Sequence, residues 1–438
     1  MSTRALALAI LTIAACVEAP TSEEPGAGCT GKCDGNEASP ATLRNRLLAN
    51  LIGQRETGAV LFGQQRFNVT GVDGNGAQWL ATAGHVDRSD ARDVVGQHPA
   101  VFGFDAWDLA IKPASWAPTP AVHSEAAKYT FARGGVVTMD FHQRGCAVDS
   151  FSAAGNEACL CKIANDDAFA RSWIGTGYAK VADALEQHGL DRLPIVVRPL
   201  HEHTGNWFWW GKPYWNCAAY LANPRVTGQA AYQRVFRTVV DYLRDERGLD
   251  NLLFAYSPDQ LGETNLEQAY LEGYPGDAYV DVLGIDLYYR GAPSFAAETS
   301  RFQRYLGAIT KLASERGKAA ALTEVGNTLT AAETTATTWF SEQLAGLLRD
   351  SGLAYAMTWE NRTAESTGFF LPFPGHPSTG DLRTFVESPL IHLLGDASGL
   401  YAPTRAAYPV CEVCPAQPVE ERWGWENERS CRLGSWCL

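Results

Sequence analysis

The sequence lacks three features that would place it in other protein classes. Positive charge is scarce, with 36 lysines and arginines against 49 aspartates and glutamates and a net charge of −13. This balance argues against nucleic acid or an anionic membrane surface as the partner and suits a neutral ligand. The N-terminal apolar run is too short to span a bilayer, and no glycine-rich nucleotide loop follows an early predicted strand. An open nucleotide-binding α/β sheet is therefore disfavoured.

The first 40 residues have the composition of a targeting segment followed by a spacer. Arg4, the apolar residues 5–15 and Cys16 fit a secretory signal peptide, and residues 13–16 match a bacterial lipobox. We expect residues 1–15 to be removed and Cys16 to be acylated, so that a lipid anchor is the protein's membrane contact. An ordinary signal peptide cut nearby is the alternative, and both place the protein outside the cytoplasm. Residues 16–40, rich in Gly, Pro and acidic side chains, are predicted to be a flexible linker.

Ten cysteines remain after Cys16, an even number that predicts disulfides in an exported chain. They are Cys29, Cys33, Cys146, Cys159, Cys161, Cys217, Cys411, Cys414, Cys431 and Cys437. Two of the spacings match half of a zinc site, but no nearby histidine pair completes one, so we expect no metal. The pairing of the cysteines is left open.

From residue 41 onward, short apolar runs alternate with helical patterns. Eight runs are predicted to be buried strands that end in polar or aromatic residues: 59–63, 100–104, 135–141, 195–200, 252–257, 282–287, 319–323 and 354–358. Helical patterns between them include 176–188, 230–246, 298–316 and 331–351. This alternation is typical of a (β/α)8 TIM barrel, an α/β fold whose site lies at the C-terminal ends of the strands. We predict such a domain over residues 41–405.

The most distinctive stretch follows the fourth predicted strand. Glu202 comes at the tip of this strand, and a glycine-bounded loop with three tryptophans and a phenylalanine, residues 207–210, follows it. A carboxylic acid beside aromatic rings provides a general acid with a raised pKa and flat apolar faces for sugar rings. A glutamate buried in an aromatic core is the structural alternative, although glutamate is rarely buried without a partner.

A second carboxylate is expected about 5 to 5.5 Å from the first if a glycosidic bond is hydrolysed with retention. Glu324 follows the seventh predicted strand, which faces the fourth across the barrel mouth. Alternation along the fourth strand places Arg198 on the same side as Glu202, so we expect Arg198 to point towards Glu324 and to keep it ionised. A purely structural Arg–Glu pair is the alternative.

These residues carry a resemblance to glycoside hydrolase family 26, whose best-known members are β-mannanases. Its acid/base motif is similar to Arg198-Pro199, His201-Glu202, Gly205 and Trp207-Phe208-Trp209-Trp210-Gly211. His203 and Thr204 stand where the family more often has Met and Asn. The resemblance extends over most of the chain and implies that Glu202 is the acid/base and Glu324 the nucleophile.

The resemblance also implies substrate-binding residues at the strand ends, namely His142, His201, Trp207, Trp210, Asp286, Tyr288 and Trp359. The tyrosine would hydrogen-bond the nucleophile, the aspartate would lie at the floor of the site, and Trp359 and the loop tryptophans would stack on sugars. A structural histidine is the alternative for His142. Glu360 is expected at the rim of the site, and Asp90 and Asp105 in the scaffold.

Residues 406–438 differ from the barrel in composition, and the segment 423–431 resembles carbohydrate-binding module family 10. The resemblance implies a disulfide-stapled module whose aromatic residues stack on cellulose or mannan. A stapled tail that packs on the barrel is the alternative, because so short a segment needs disulfides to fold.

The sequence thus predicts an exported, monomeric, endo-acting retaining hydrolase that needs no cofactor. Its expected substrates are internal β-1,4-mannosidic linkages in mannan, glucomannan or galactomannan. A β-1,3-1,4-glucanase or xylanase of the same family is one alternative, and a non-catalytic surface carbohydrate-binding lipoprotein is another. The cysteine-bearing segments 146–173 and 212–227 are predicted to close one end of the cleft.

Overall fold

The computed structural model describes residues 38–112, 117–291, 294–327, 337–362 and 369–402, together with the backbone of 423–426 and 429–432. Eight parallel strands within it form a closed barrel: β1 (Val60–Gln65), β2 (Val101–Asp105), β3 (Val136–Asp140), β4 (Ile195–Arg198), β5 (Leu252–Tyr256), β6 (Val282–Tyr289), β7 (Ala319–Asn327) and β8 (Tyr355–Thr358). Each strand pairs with the next, and β8 pairs with β1 to close the ring. The predicted (β/α)8 barrel and the positions of its eight strands are confirmed.

Helices surround the barrel. In the described residues they are Pro40–Gln54, Asp90–Val95, Ala106–Ala110, Pro120–Phe131, Cys159–Asn165, Asp167–Thr176, Tyr178–Gln187, Gln229–Val240, Leu266–Tyr270, Phe295–Arg316, Ala345–Leu348 and Thr379–Val386. Two π-helical stretches are Asp241–Glu246 and Trp339–Leu344, and single 3₁₀ turns are Lys212–Tyr214, Cys217–Ala219, Asp277–Tyr279 and Leu394–Asp396. Short strands outside the barrel are Thr70–Val72, which pairs with Gln78–Leu80, and Ile391–His392, which pairs with β1.

The longest helix shows how the local sequence sets these boundaries. Ser294 lies before it, and its side chain accepts a hydrogen bond from the amide of Ala297. Gly317 follows it with a φ of 64°, a left-handed conformation that glycine adopts at low cost. The predicted pattern 298–316 therefore corresponds to Phe295–Arg316, which begins three residues earlier and ends at the same residue.

The core has two layers because alternate residues of each strand face opposite sides. Val60 and Phe62 pack outward in the larger cluster, between the strands and the helices, whereas Leu61 belongs to a second cluster inside the barrel. Leu47 and Leu51 of the first helix join this inner cluster. That helix therefore contributes apolar side chains to the barrel's interior. Polar side chains lie at the C-terminal ends of the strands.

Two disulfides link parts of the chain between β3 and the helix Gln229–Val240. Cys146 bonds Cys159, and Cys161 bonds Cys217. The second bridge joins the cysteine-bearing segments 146–173 and 212–227, and the first of them contains the helix Cys159–Asn165 and most of the helix Asp167–Thr176. The remaining six cysteines fall outside the residues whose side chains are described, so the other predicted disulfides are untested.

The predicted signal peptide, most of the linker and most of residues 406–438 lie outside the described residues. In the tail, the backbone of Trp423–Glu426 pairs antiparallel with Arg429–Arg432. None of the helices in the described part of the chain combines the length and the apolarity that crossing a bilayer requires. The disulfide-stapled module and the lipid anchor therefore stay predictions.

Candidate active site

A strained turn at the end of β4 presents Glu202 to the mouth of the barrel. Leu200 has a φ of 51° and Glu202 a φ of 52°, which is left-handed backbone that non-glycine residues rarely adopt. Hydrogen bonds hold this turn. The hydroxyl of Tyr232 donates to the carbonyl of Leu200 at 2.9 Å, and the amide of Glu202 donates to the carbonyl of Ser257 at 2.7 Å. Such strain persists where neighbouring contacts fix it, and it often accompanies a functional residue.

The carboxyl group of Glu202 lies in a setting that favours its protonated form. Burial and the negative charges of Glu324, Asp286 and Asp259 raise its pKa well above the usual range, although Arg198 acts in the opposite direction. The indole nitrogen of Trp207, five residues along the chain, donates to Oε2 of Glu202 at 2.7 Å. A carboxyl group that keeps its proton near neutral pH can serve as a general acid.

A bulge in β7 aims Glu324 into the barrel. Ile285 of β6 lies opposite Leu322, but the next residue, Asp286, lies opposite Glu324, so Thr323 is the extra residue. Alanines 319 and 321 belong to the inner cluster, and strict alternation would turn Glu324 outward. The bulge reverses that alternation, as bulges near functional sites do.

Arg198 lies between the two inward-facing carboxylates. Its Nη1 donates to Oδ2 of Asp286 at 2.5 Å, and its Nη2 contacts Oε1 of Glu324. The hydroxyl of Tyr288 donates to the other oxygen, Oε2, of Glu324. Both oxygens of Glu324 are thus fixed in place. The expected contacts of Arg198 and Tyr288 with Glu324 are present.

Asp286 lies beneath the site. It is fully buried, and its Oδ1 accepts hydrogen bonds from the hydroxyls of Ser257 at 2.8 Å and Thr323 at 2.7 Å. Burial raises the pKa of Asp286 well above the usual range, and the charge of Glu324 adds to this shift while Arg198 opposes it. The prediction that Asp286 binds substrate is wrong, because the side chain has no accessible surface. Its place at the floor of the site is as expected.

The separation of the carboxyl groups limits the chemistry. Oxygen atoms of Glu202, Asp286 and Glu324 lie within 4.8 Å of one another. Retaining glycosidases hold their two carboxyl groups about 5 to 5.5 Å apart, whereas inverting enzymes leave room for a water between them. One oxygen of Glu202 thus lies within 4.8 Å of one oxygen of Glu324, which is compatible with a retaining pair.

His142 follows β3 and makes ionic contacts that the sequence indicated only in part. Its Nδ1 lies 2.8 Å from Oδ2 of Asp105 and 3.3 Å from Oδ2 of Asp140. Although burial disfavours the charged ring, the two carboxylates outweigh it and raise the pKa of His142 to about 10. From the sequence, Asp105 was expected in the scaffold, and Asp140 was not identified. The signal available for Asp140 was its position as a polar residue at the end of an apolar strand.

His201 is buried beside His142, with 4.8 Å between the two ring centroids. Burial and the nearby charges of Arg198 and His142 lower the pKa of His201 well below the usual range, so its ring is neutral. Nδ1 of His201 has no hydrogen-bond partner among the described residues. A direct contact with substrate through this ring is limited by its burial.

The aromatic loop after Glu202 divides into exposed and buried rings. Trp207 is 37% exposed, whereas Trp210 has no accessible surface and stacks on Phe208 with 4.4 Å between ring centroids. The prediction that Trp210 offers a stacking face to sugar is wrong. Its indole nitrogen instead donates to the carbonyl of His201 at 2.7 Å, which fixes the turn before Glu202.

Other aromatic rings lie around His142. Trp359, at the tip of β8, is partly buried, and its ring centroid lies 6.2 Å from that of His142. Phe151 is 40% exposed and its ring centroid lies 5.2 Å away. Sequence reasoning missed Phe151 because it follows no strand, and its position within a cysteine-bearing segment was the one available signal.

The stapled loop, residues 146–159, is closed by the Cys146–Cys159 disulfide and organised by Asn156. The buried side chain of Asn156 accepts hydrogen bonds from the amides of residues 147 and 148 and donates to the carbonyls of residues 148, 150 and 152. The amide of Ala153 donates to the carbonyl of Trp207 at 2.8 Å. The stapled loop therefore supports the aromatic loop beside Glu202. That it closes one end of the cleft stays a prediction.

Glu360 and Asp90 belong to the scaffold. The prediction that Glu360 lies at the rim is wrong, because it is 1% exposed and bonds Nη1 of Arg66 at 2.7 Å and 2.9 Å. Asp90 accepts from the indole nitrogen of Trp79 at 2.8 Å and from the side chain of Asn361 at 2.7 Å. Its predicted structural role agrees with these contacts.

Comparison with known proteins agrees with this geometry. Residues 37–342 match the sequence model of the family described as Glycosyl hydrolase family 26. The chain belongs to glycoside hydrolase family 26. A mannan endo-1,4-beta-mannosidase of Bifidobacterium adolescentis is 30% identical over 375 residues, which cover 80% of this chain and 34% of that protein. One from Bacillus subtilis is 29% identical over 206 residues, or 46% of this chain and 54% of its own. This family 26 chain thus spans about a third of the length of the first of these relatives and about half of the length of the second.

Solved structures show the same architecture. A GH26 beta-mannanase from Bacteroides ovatus superposes with a TM-score of 0.68 at 27% identity, covering 82% of this chain and 97% of that one. A modular endo-beta-1,4-mannanase from Cellulomonas fimi gives a TM-score of 0.67 at 30% identity, with 87% and 80% covered. Both likenesses extend over most of the family 26 barrel.

Two clusters of side chains in the family 26 site have potential ligand atoms close enough together to hold a metal ion. One cluster is Asp140, His142 and His201, and the other is Glu202, Asp286 and Glu324. The proximity of His142 to Asp140 is explained by their ion pair, and that of Asp286 to Glu324 by Arg198 between them. Since His142 and Arg198 already pair with these carboxylates, we assign neither group to a metal.

Replacing Arg198 with Met tests the ionic centre of the site. The change leaves Asp286 and Glu324 facing each other without a cation, so one of them must take up a proton. We expect the kcat for glycoside hydrolysis to fall on the order of 100-fold or more per folded molecule. Arg66→Met is the matched control, because it removes a buried arginine paired with Glu360 and Asp108 instead. Equal losses of kcat in both variants would contradict a specific role for Arg198.

Proposed function

We propose that this chain is an endo-acting, retaining β-mannanase that hydrolyses internal β-1,4-mannosidic linkages in mannan, glucomannan or galactomannan. The observation that carries this proposal is that one carboxyl oxygen of Glu202 lies within 4.8 Å of one carboxyl oxygen of Glu324 at the mouth of the barrel. Membership of family 26 supports glycoside hydrolysis. The names of the relatives, mannan endo-1,4-beta-mannosidase, support the substrate class.

In the first step, an oxygen of Glu324 attacks the anomeric carbon while Glu202 donates its proton to the glycosidic oxygen. The carbon–oxygen bond to the leaving chain breaks, and a covalent glycosyl ester forms on Glu324. In the second step, Glu202 takes a proton from water, the water attacks the anomeric carbon, and Glu324 is released. Glu202 thus acts first as acid and then as base, with no change in the total charge of the site.

Neighbouring residues support these two roles. Burial and the charge of Glu324 raise the pKa of Glu202, which keeps the acid protonated before the first step. Arg198 and Tyr288 each contact one oxygen of Glu324, and Arg198 supplies the positive charge that stabilises the carboxylate as a leaving group in the second step. These protein groups account for each proton and charge, so the proposed reaction needs no cofactor.

The exposed rings at the mouth of the barrel are the proposed sugar contacts. Trp207 and Phe151 offer accessible aromatic surface, and Trp359 and Tyr288 are partly buried. Aromatic faces bind the apolar faces of pyranose rings, while hydroxyl and indole groups at their edges form hydrogen bonds. His142 provides a polar group among these rings.

We also propose that the protein is exported and anchored through an acylated Cys16, that it works as a monomer, and that residues 406–438 bind polysaccharide. The sequence pattern around Cys16 supports the anchor. Two disulfides among the described residues support an oxidising compartment outside the cytoplasm. The tail's aromatic residues support carbohydrate binding only through their resemblance to a binding module.

Reducing-sugar release from galactomannan, glucomannan, barley β-glucan and xylan tests the reaction and the substrate together. We expect release from the mannans, with a loss of roughly 1,000-fold or more in Glu202→Ala and in Glu324→Ala. Glu360→Gln is the control, because this buried carboxylate lies outside the proposed pair and should leave turnover per folded molecule largely intact. Activity on β-glucan or xylan alone would replace the substrate. Binding of polymer without release would favour a carbohydrate-binding lipoprotein.

The pH dependence of kcat/KM tests the acid. Since Glu202 must be protonated to donate, activity should be present below its raised pKa and lost as the pH rises through it. Asp259→Asn removes one of the negative charges that raise this pKa. The alkaline limb of the profile should therefore move to lower pH in this variant. A limb that stays in place or moves to higher pH would contradict the assignment.

Lipid labelling and binding to insoluble polymer test the two ends of the chain. Cys16→Ser should stop incorporation of labelled palmitate, and the variant should sediment as a monomer from the soluble fraction.

Trp423→Ala with Trp425→Ala should weaken retention on insoluble mannan or cellulose and leave hydrolysis of soluble galactomannan unchanged. Unchanged labelling or unchanged retention would overturn the corresponding proposal.

A further inference from the structure

His142 is held by two carboxylates that come from neighbouring strands. Asp105 ends β2 and Asp140 ends β3, and each directs Oδ2 at Nδ1 of the ring, at 2.8 Å and 3.3 Å. The second oxygen of each is also an acceptor. Oδ1 of Asp105 accepts from the amide of Trp107 and Oδ1 of Asp140 from the side chain of Gln65, both at 2.8 Å. Nδ1 therefore donates to Oδ2 of Asp105, while Oδ2 of Asp140, which has no hydrogen-bond partner among the described residues, places a second negative charge 3.3 Å from the ring nitrogen.

The opposite edge of the ring is free for a ligand. Nε2 of His142 makes no hydrogen bond with any described residue, and the side chain is 17% exposed. The rings of Phe151, Phe208 and Trp359 lie around it, with centroids 5.2, 5.4 and 6.2 Å from that of His142. These rings reduce the contact of the imidazole with water, and a charged N–H donor forms a stronger hydrogen bond in such surroundings than in water.

The other charged groups near His142 have opposing effects. Arg144 lies on the chain just after it, with its guanidinium 5.7 Å from the centroid of Phe151, and Arg198 lies deeper in the barrel. Both cations disfavour a charged imidazole. His201, from the end of β4, is buried and neutral and adds no charge. Burial raises the pKa of Asp105, and the charge and hydrogen bond of His142 oppose this shift, so that the carboxylate and the ring favour each other's charged forms. The two carboxylates in direct contact outweigh the more distant cations.

We propose that Asp105 and Asp140 are positioning residues that hold His142 as a permanently charged donor, whose Nε2–H binds a hydroxyl oxygen of the sugar. Burial opposes the charge, but the carboxylates raise the pKa of His142 to about 10, so the ring stays charged through the neutral range. This inference rests on the proposed function for its ligand. The family resemblance already implies that His142 contacts sugar; the new assignment is to Asp105 and Asp140, which keep this donor charged so that a sugar without an oxygen there leaves it unpaired.

The charge of the ring can be measured without any substrate. In protein labelled with ¹⁵N-histidine, the ring nitrogens of His142 should remain protonated from about pH 5 to pH 9, and His142→Gln assigns the signal by its loss. Asp105→Asn removes the charge that contributes most to raising the pKa. His142 should then titrate within this range. An ordinary titration in the wild type, or the same behaviour in Asp105→Asn, would overturn the inference.

Kinetics on galactomannan provide the second readout. Asp105→Asn should leave kcat/KM close to that of the wild type at about pH 5 and lower it about 10-fold or more at about pH 8, mainly through KM. Asp381→Asn is the matched control, because this buried carboxylate accepts from the amides of Phe340 and Ser341 and should not change the shape of the profile. A loss that is equal at every pH would indicate a structural role only. If no polymer is hydrolysed, the proposed function fails while the titration still decides the charge of His142.

Discussion

The site depends on one buried ionic contact, the guanidinium of Arg198 between Asp286 and Glu324. Two carboxylates this close cannot both stay ionised without a cation, and a buried cation is unstable without partners. The structure meets both requirements with one side chain. Hydroxyls of Ser257, Thr323 and Tyr288 then complete the hydrogen bonds of the two carboxylates. Glu324 is thereby directed towards the mouth of the barrel, and Asp286 supports it from below through Arg198.

Much of the fold followed from simple patterns, and the exceptions have local causes. Apolar runs located all eight strands, and the residues at their tips included Glu202, Glu324, Tyr288 and Trp359. Alternation did not predict the bulge at Thr323 that turns Glu324 inward. It was the strand tip, together with the family resemblance, that indicated Glu324. A bulge depends on register between neighbouring strands, which a single strand's sequence does not contain.

Side-chain burial was the least predictable property of the site. Trp207 and Trp210 are three residues apart in one loop, yet one is exposed beside Glu202 and the other is buried beneath it. Glu360 follows Trp359 at the tip of β8 but turns back to bind Arg66. Phe151 reaches the site from a loop that a disulfide holds. Each of these outcomes depends on tertiary contacts between segments distant in sequence.

The departure from the family motif at His203 has a structural explanation. This ring is fully buried, and its nitrogens lie 3.2 Å from the hydroxyl of Tyr232 and 2.9 Å from that of Tyr256. Burial lowers the pKa of His203 to about 3, so it is a neutral hydrogen-bonding group. Tyr232 in turn bonds the carbonyl of Leu200 in the strained turn before Glu202. His203 therefore supports the backbone that places the acid.

The central claim is that Glu202 and Glu324 act by double displacement. The most direct test is the anomeric configuration of the first product, followed by proton NMR during hydrolysis of a manno-oligosaccharide. Two successive inversions at the anomeric carbon should release the β-anomer first, with the α-anomer appearing later through mutarotation. Initial release of the α-anomer would show a single displacement by water and would contradict the covalent intermediate on Glu324.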